Sequence, residues 1–192
     1  MKFAVSSSEL LKGLLTVSKA IPSKATEAIL EDYLFSLSGD LLEVTASDKE
    51  ITMKTSIAVD NKEGDGRIAV PARQLNDLLR ELPDQPLTIR TISENQFECA
   101  WASGESSLPY FNPDDYPECQ TTGPDAITVE FPAMTLVDGI SRTIYASSDE
   151  DNRPVMNSIF FDINPDSTTL VASDLQKLTC YTADDVKAEN PC

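Results

Sequence analysis

The sequence predicts an α+β fold built from repeated strand–helix–three-strand units, with the helices packed on one side of antiparallel sheets. Three observations carry this reading. First, Ile68-Ala69-Val70-Pro71-Ala72-Arg73-Gln74-Leu75-Asn76-Asp77-Leu78-Leu79 runs from a strand end through a proline into an amphipathic helix. Proline is tolerated there because the first helical N–H has no partner to lose. Leu75, Leu78, Leu79 and Leu82 fall on one helical face. Second, the pattern recurs. Val70–Leu75 aligns with Phe131–Leu136 and, more loosely, with Val5–Leu10, and Leu79, Ile140 and Leu14 follow four positions on. Val5 to Val70 is 65 residues and Val70 to Phe131 is 61. That exceeds the roughly 20–50 residues of a solenoid repeat and is closer to half of an ordinary domain. Third, the stretches after each helix alternate apolar and polar residues with the period of a strand.

In the first copy, residues 2–5 read as a strand with Phe3 and Val5 on one face. Ser6, Ser7 or Ser8 supplies a hydroxyl cap for a helix over 7–19. Its apolar stripe is Leu10, Leu11, Leu14, Leu15 and Val17, and it ends before Pro22. Residues 23–27 form an exposed connection, and strands follow at 34–37, 42–47 and 51–59. Ser38-Gly39-Asp40 turns the chain back, and Asn61–Gly66 reads as a flexible turn. The second copy has a helix over 72–82, a closing turn at 82–86, and strands at 87–92, 96–101 and 105–108.

Phe111–Pro117 reads as neither helix nor sheet, and with Thr121–Pro124 it forms a linker. A boundary near 120 therefore separates a first domain, 1–120, from a second region, 125–192. The third copy has a strand at Ile127–Val129, a helix over 132–144, a polar loop over 147–154, and strands at 158–163, 169–173 and 178–183. Ala172-Ser173-Asp174 repeats Ala46-Ser47-Asp48 at the same place in its unit. Two complete units precede the linker and one follows it. If a domain takes two units, the chain is expected to be a truncated or processed portion.

The length, 192 residues, suffices for a sizeable core. No apolar window approaches the ~20 residues of a transmembrane helix. Met1–Ser6 alternates like a strand and lacks the apolar core of a signal peptide. A cytoplasmic protein without a membrane role is expected, with Cys99, Cys119, Cys180 and Cys192 as free thiols.

The net charge is −17, from 15 basic and 32 acidic side chains. Taken alone, that opposes binding to a phosphate backbone. The distribution changes the argument. The first helix holds Lys12, Lys19 and Glu9, the second Arg73, Arg80, Asp77 and Glu81, and the third Arg142 and Asp138. The helices are near neutral, and the acid falls on sheets and loops. With screening over about 8 Å in physiological salt, two faces of one protein can present different potentials.

Catalytic signatures are missing. There is no GxGxxG, Walker A or G-x-S-x-G sequence, and the chain has no histidine. Asp149-Glu150-Asp151-Asn152 lacks the alternating oxygen spacing of a calcium loop and reads as solvated, and Asp114-Asp115 reads as a turn. No catalytic residue, metal or cofactor is expected. Two alternatives stand: an acidic protein-binding scaffold module without a DNA role, and a hydrolase using a carboxylate pair such as Asp149 and Asp151.

Met1-Lys2-Phe3, Val70-Pro71-Ala72-Arg73, Tyr116-Pro117, Arg153-Pro154-Val155-Met156-Asn157 and Val171-Ala172-Ser173-Asp174 occur in an order that resembles the bacterial sliding clamp family. This family is the beta subunit of DNA polymerase III, and the resemblance spans the whole chain. It implies the DNA-clamp fold, three domains of two units each, and a homodimer ring of full-length chains around double-stranded DNA. This chain would supply the first three units of six. The implied role is a processivity factor that tethers the replicative polymerase during DNA replication.

The resemblance places DNA contacts at Lys24 and Arg73, joined by Lys12, Arg80 and Arg153. Arg73 has a second reading, as a surface arginine pairing with Asp77 one helical turn on. The loop Glu150–Val155 approaches DNA in the family, and here it is acidic apart from Arg153. A pocket for short linear peptides of DNA polymerase III and the clamp loader would draw on Met156, Ser173, Leu175, Gln176, Lys177 and Leu178. Many members have Gly-His-Arg where this chain has Leu175-Gln176-Lys177. Met156 and Leu178 also fit ordinary sheet packing.

Overall fold

The computed structural model describes residues 1–118, 123, 126–150, 152–186 and 188. The chain divides into two compact units, Met1–Gln120 and Thr121–Cys192.

In the first unit, β1 (Lys2–Ser6) leads into α1 (Ser7–Val17) and a 3-10 turn at Ser18–Ala20. Ser6 is extended, and its Oγ accepts from the Glu9 N–H at 3.4 Å, so the cap is Ser6. After a 3-10 turn at Ala28–Glu31 come β2 (Asp32–Ser38), β3 (Leu41–Ser47), β4 (Thr52–Ala58) and β5 (Asp60–Glu63). Then follow β6 (Gly66–Pro71), α2 (Ala72–Glu81), β7 (Pro86–Thr91), β8 (Gln96–Trp101) and β9 (Gly104–Pro109).

The strands form two antiparallel sheets, ordered β5-β1-β7-β8-β9 and β4-β3-β2-β6. β1, which leads the first copy, pairs with β7 of the second, and β6, which leads the second copy, pairs with β2 of the first. Each copy therefore completes the other's three-stranded sheet. α1 and α2 pack side by side on these sheets. Phe3, Leu10, Leu14, Val17, Phe35, Leu42, Leu75, Leu79, Ile89 and Phe97 form one buried core drawn from both copies. Each such side chain contributes about 1.5–3 kcal/mol on burial. Between the helices, the Tyr33 hydroxyl donates to Leu14 O at 3.2 Å and accepts from Asn76 Nδ2 at 2.8 Å.

The second unit contains α3 (Ala133–Thr143), a 3-10 turn at Ile144–Ala146, and one sheet ordered β10 (Phe160–Ile163), β11 (Thr168–Ser173), β12 (Leu178–Ala183). It matches the first copy without a gap, since Val5 and Phe131, and Ala46 and Ala172, are each 126 positions apart. Ladder registers agree as well: Leu34 faces Thr45 as Phe160 faces Val171, and Ser47 faces Thr52 as Ser173 faces Leu178.

Two details explain the match. A Cβ on Gly13 would lie 2.5 Å from Ile57 Cδ1, and one on Gly139 would lie 2.9 Å from Leu170 Cδ2, so both helices lie close on their sheets. Ser47 Oγ and Asp48 Oδ1 accept from the N–H groups of Lys49, Glu50 and Ile51. Ser173 Oγ and Asp174 Oδ1 do the same for Leu175, Gln176 and Lys177. Both turns pass through the left-handed region, at Lys49 (φ 80°) and Leu175 (φ 74°).

Three expectations are corrected. Asn61–Glu63, expected to be part of a turn, belongs to a strand, Asp60–Glu63. It is all polar, so no apolar alternation marks it, and it forms by edge pairing to β1 with Lys2 Nζ 2.6 Å from Glu63 Oε1. Phe111–Pro117 is partly ordered: Phe111 bridges to Ala69, and Pro113–Asp115 is a 3-10 turn whose cap, Asn112 Oδ1, accepts from the Asp114 N–H. Ile127–Val129 is not a strand, having no ladder partner among the described residues. The linker residues Thr121, Thr122 and Pro124 lie outside the described residues.

Asp32 is 4% exposed, and burial together with nearby Glu31 pushes its carboxyl up to about 6 from 3.8. Between those values the native state holds a proton that the unfolded chain has released. Stability therefore falls as pH rises from about 4 to 6, and the penalty persists above that window. Asp32→Asn should stabilise the first unit by about 2–3 kcal/mol at pH 7 and flatten its response between pH 4 and 6. Urea unfolding followed by the single tryptophan, Trp101, checks this; an unchanged midpoint at pH 7 would show the carboxylate to be solvated. In the same assay Gly13→Leu should cost about 1–3 kcal/mol by forcing α1 off β4.

Candidate functional site

The outward side of α1 carries Ser8, Leu11, Lys12, Leu15 and Thr16, and with Lys19 of the 3-10 turn that follows they line a shallow open strip. Leu11 and Leu15, expected in the buried stripe, stay partly or largely exposed, because Leu10, Leu14 and Val17 already fill the core side. Lys24 lies exposed in the bend between the 3-10 turns at Ser18–Ala20 and Ala28–Glu31.

The ion pairs separate the basic residues into two groups. Among the described residues, Lys2, Lys49, Lys54, Lys62, Arg90 and Lys177 each hold a carboxylate, whereas Lys12, Lys19, Lys24, Arg67, Arg142 and Arg153 hold none. On α2, Arg73 lies 3.9 Å and Arg80 3.6 Å from the one carboxylate of Asp77. These contacts are loose beside the 2.8 Å pair of Arg90 and Glu98. The Arg73 side chain is 95% exposed, so the pairing with Asp77 leaves it free to meet another anion. Lys12, Arg73 and Arg80 thus sit on two adjacent helices of one unit, with Lys24 in the segment that follows α1. Arg153 belongs to the other unit.

In the second unit, the end of α3, the loop after it and the Ser173-Asp174 turn enclose a cleft of about 740 Å³. Met156, Leu175, Gln176 and Lys177 line it, together with Ile144 and Tyr145. Two of the six expected pocket residues do not. Ser173 Oγ donates to Lys177 O at 2.7 Å and accepts from Leu175 N–H at 3.2 Å, so it is spent on the turn. Leu178 is exposed at the start of β12, opposite Ser173 in the ladder.

Tyr145 is the residue the sequence reading missed. Its hydroxyl accepts from Thr179 Oγ1 at 2.8 Å, and its carbonyl accepts from Lys177 Nζ at 3.0 Å. Its only sequence signal was an aromatic one position beyond the predicted helix end. Hydrogen bonds from the Lys177 backbone N–H and its ammonium hold the Asp174 carboxyl below the usual carboxylate range. Leu175 occupies a left-handed backbone position where glycine is the unstrained choice, and the turn displays its apolar side chain at the cleft.

The loop beside the cleft is closed by Ser148 N–H to Met156 O at 2.8 Å and Met156 N–H to Arg153 O at 2.9 Å. Asp151, one half of the carboxylate pair considered for hydrolysis, lies outside the described residues. Among the described residues no three histidine, cysteine or acidic side chains gather as a metal site. Cys99 is buried on β8, and burial beside Glu98 pushes its thiol up to about 12, whereas Cys180 is exposed on β12. Cys119 and Cys192 lie outside the described residues. No helix among the described residues is long and apolar enough to cross a membrane.

The family model for the DNA polymerase III beta subunit, N-terminal domain, matches residues 1–120. The chain is 26% identical over 192 residues to the beta sliding clamp of Synechococcus elongatus, covering 99% of this chain and 49% of the relative. It is 28% identical over 189 residues to that of Halalkalibacterium halodurans, covering 93% and 48%. Among solved structures, the DNA polymerase III subunit beta of Pseudomonas aeruginosa superposes with a TM-score of 0.90 at 25% identity, covering 100% of this chain and 52% of that one. A putative DNA polymerase III beta subunit from Eubacterium rectale gives 0.91 at 27% identity, with the same coverage. The chain spans about half the length of the curated relatives it matches. With most of its length accounted for by that family's N-terminal domain, the chain belongs to the DNA polymerase III beta subunit family.

Proposed function

We propose that this chain is part of a non-catalytic processivity clamp of the cytoplasm, one that encircles double-stranded DNA as a homodimer ring when full length and tethers the replicative polymerase. In this reading residues 1–120 form the first clamp domain and 125–192 the first half of the second. The observation that carries the proposal is charge placement. In a chain of net charge −17, Lys12, Lys19 and Lys24 stand without acidic partners among the described residues, and the α2 arginines are only loosely paired. A sliding ring must meet phosphates without reading bases, and exposed, mobile cations on helix surfaces suit that contact.

A specific observation favours a second surface. The cleft sets the apolar side chains of Ile144, Tyr145, Met156 and Leu175 in a mostly polar lining that includes Asp149, Glu150, Arg153, Asp174 and Lys177, a mixture that suits short linear peptides of polymerase and clamp-loader subunits carrying both apolar and polar side chains. The scaffold alternative predicts peptide binding without any DNA affinity, so the two surfaces are tested separately.

For DNA, each lost phosphate contact should reduce the slope of log affinity against log salt by about 0.9. Lys24→Ala with Arg73→Ala should therefore flatten that slope by about two on any duplex sequence. Stability should hardly change, because exposed charges contribute little to it. Fluorescence anisotropy across a salt titration measures both proteins. An unchanged slope would move the contact to Lys12, Arg80 and Arg142. For the cleft, Met156→Lys should weaken binding of a labelled clamp-binding peptide at least tenfold, about 1.4 kcal/mol, and leave the DNA slope untouched.

A further inference from the structure

The loop that carries Lys24 follows α1 and the 3-10 turn at Ser18–Ala20, and it has a counterpart of equal length in the second unit, 126 positions on. The two loops are held differently. In the second unit the backbone closes the loop on itself, with Ser148 N–H donating to Met156 O at 2.8 Å and Met156 N–H to Arg153 O at 2.9 Å. The equivalent residues of the first unit are Pro22, Leu30 and Glu27. Leu30 N–H donates to Glu27 O at 3.1 Å, so the inner bond is kept. The outer bond cannot form, because Pro22 has no N–H to donate.

The first loop is therefore short of an anchor. Ala20 and Leu30 are buried, and no residue from 21 to 29 is. Among the described residues, no backbone hydrogen bond joins residues 22–29 to a residue more than three positions away. One side-chain contact does: Lys49 Nζ donates to Glu27 Oε1. Lys49 is itself held in place. It lies in the turn after β3, where Ser47 Oγ accepts from its N–H at 3.1 Å and Asp48 Oδ1 accepts from the Ile51 N–H at 2.6 Å. Its backbone is left-handed, with φ 80°, a conformation that persists in a lysine only where the surroundings impose it. In the second unit the residues matching Glu27 and Lys49 are Arg153 and Leu175, which cannot form an ion pair. The tether thus occurs in the copy whose backbone closure is lost.

We propose that the Glu27–Lys49 ion pair is a positioning contact for DNA, holding the 22–29 loop so that Lys24, three residues from Glu27, meets a phosphate. The proposal rests on the reading of Lys24 as a DNA contact. A lysine on an unclosed loop must lose the freedom of the loop as well as its own when it binds, and a loop fixed in advance avoids that loss. Exposed ion pairs add little to stability, so what this pair supplies is placement. The sign of one substitution separates placement from charge. Glu27 is an acid beside a lysine that faces phosphate, and by charge alone its removal would strengthen binding. As a tether, its removal weakens binding.

The test uses the full chain, a fluorescein-labelled duplex and a salt titration. Glu27→Ala should flatten the slope of log affinity against log salt by about 0.9, as Lys24→Ala does, and the double variant should flatten it no further. The reversed pair, Glu27→Lys with Lys49→Glu, keeps the net charge and should restore the original slope. A readout without DNA follows the loop itself: trypsin should cut the Lys24–Ala25 bond about threefold faster or more in Lys49→Met, with thermal melting by circular dichroism unmoved. If Lys24→Ala flattens the slope while Glu27→Ala leaves it unchanged or steepens it, the proposal is overturned and Lys24 keeps its DNA contact. Unaltered cleavage in Lys49→Met overturns it as well. An unchanged slope for Lys24→Ala itself would remove the DNA contact of Lys24 and the proposal together.

Discussion

The first unit depends on the exchange of leading strands between its two copies. β1 lies on β7 and β6 lies on β2, so each three-stranded sheet gains a fourth strand from the other half of the unit. A three-stranded sheet with one helix cannot bury both its apolar face and its edge. Exchange solves both problems at once, because the strand that closes the edge also delivers the helix that follows it. Phe3 and Val5 reach the core on β1 with α1 behind them, and Ile68 and Val70 do so on β6 with α2 behind. The two helices then meet, and the Tyr33 hydroxyl bonds to a carbonyl of one and a side chain of the other.

This arrangement settles where charge can go. The core sides of α1 and α2 are taken by leucine and valine, and their edges by each other. Only the outward positions remain for Lys12, Lys19, Arg73 and Arg80. Most acidic residues lie on strands and loops, where among the described residues Glu27, Glu43, Glu63, Asp65 and Asp174 each pair with a lysine. On α1 Lys12 holds no carboxylate among the described residues, and on α2 Arg73 and Arg80 share the one carboxylate of Asp77, so the helices stay near neutral in an acidic protein. The proposed DNA surface is thus a by-product of how the core is filled.

The cleft of the second unit rests on a different constraint, the turn after β11. Ser173 and Asp174 bind the N–H groups of the three residues that follow, as Ser47 and Asp48 do in the first unit. Only in the second unit does the turn stand beside an aromatic from the end of the helix. Lys177 joins them, reaching both Asp174 and the Tyr145 carbonyl. The same local chemistry is a plain hairpin in one copy and a wall of a cleft in the other.

The sequence by itself determined what local physics controls. The proline-led helices, the alternating strands from Leu34 to Ala183, the unit repeat and the near neutrality of the helices follow from spacing and residue type, and β8 and β12 keep their expected bounds. The six pocket residues came from the resemblance to the clamp family, not from spacing; of them Leu175, Gln176 and Lys177 line the cleft on the turn after β11, and Met156 lines it from the loop after α3. Tertiary structure alone decided the rest. The all-polar β5 exists because β1 offers a free edge, Ser173 is consumed by its turn, and Tyr145 enters the cleft through partners more than thirty residues away. Which lysines stand unpaired, and whether a strand such as Ile127–Val129 forms at all, depend on long-range partners. Pairing between distant segments leaves no period in the chain, so only the folded arrangement reveals it.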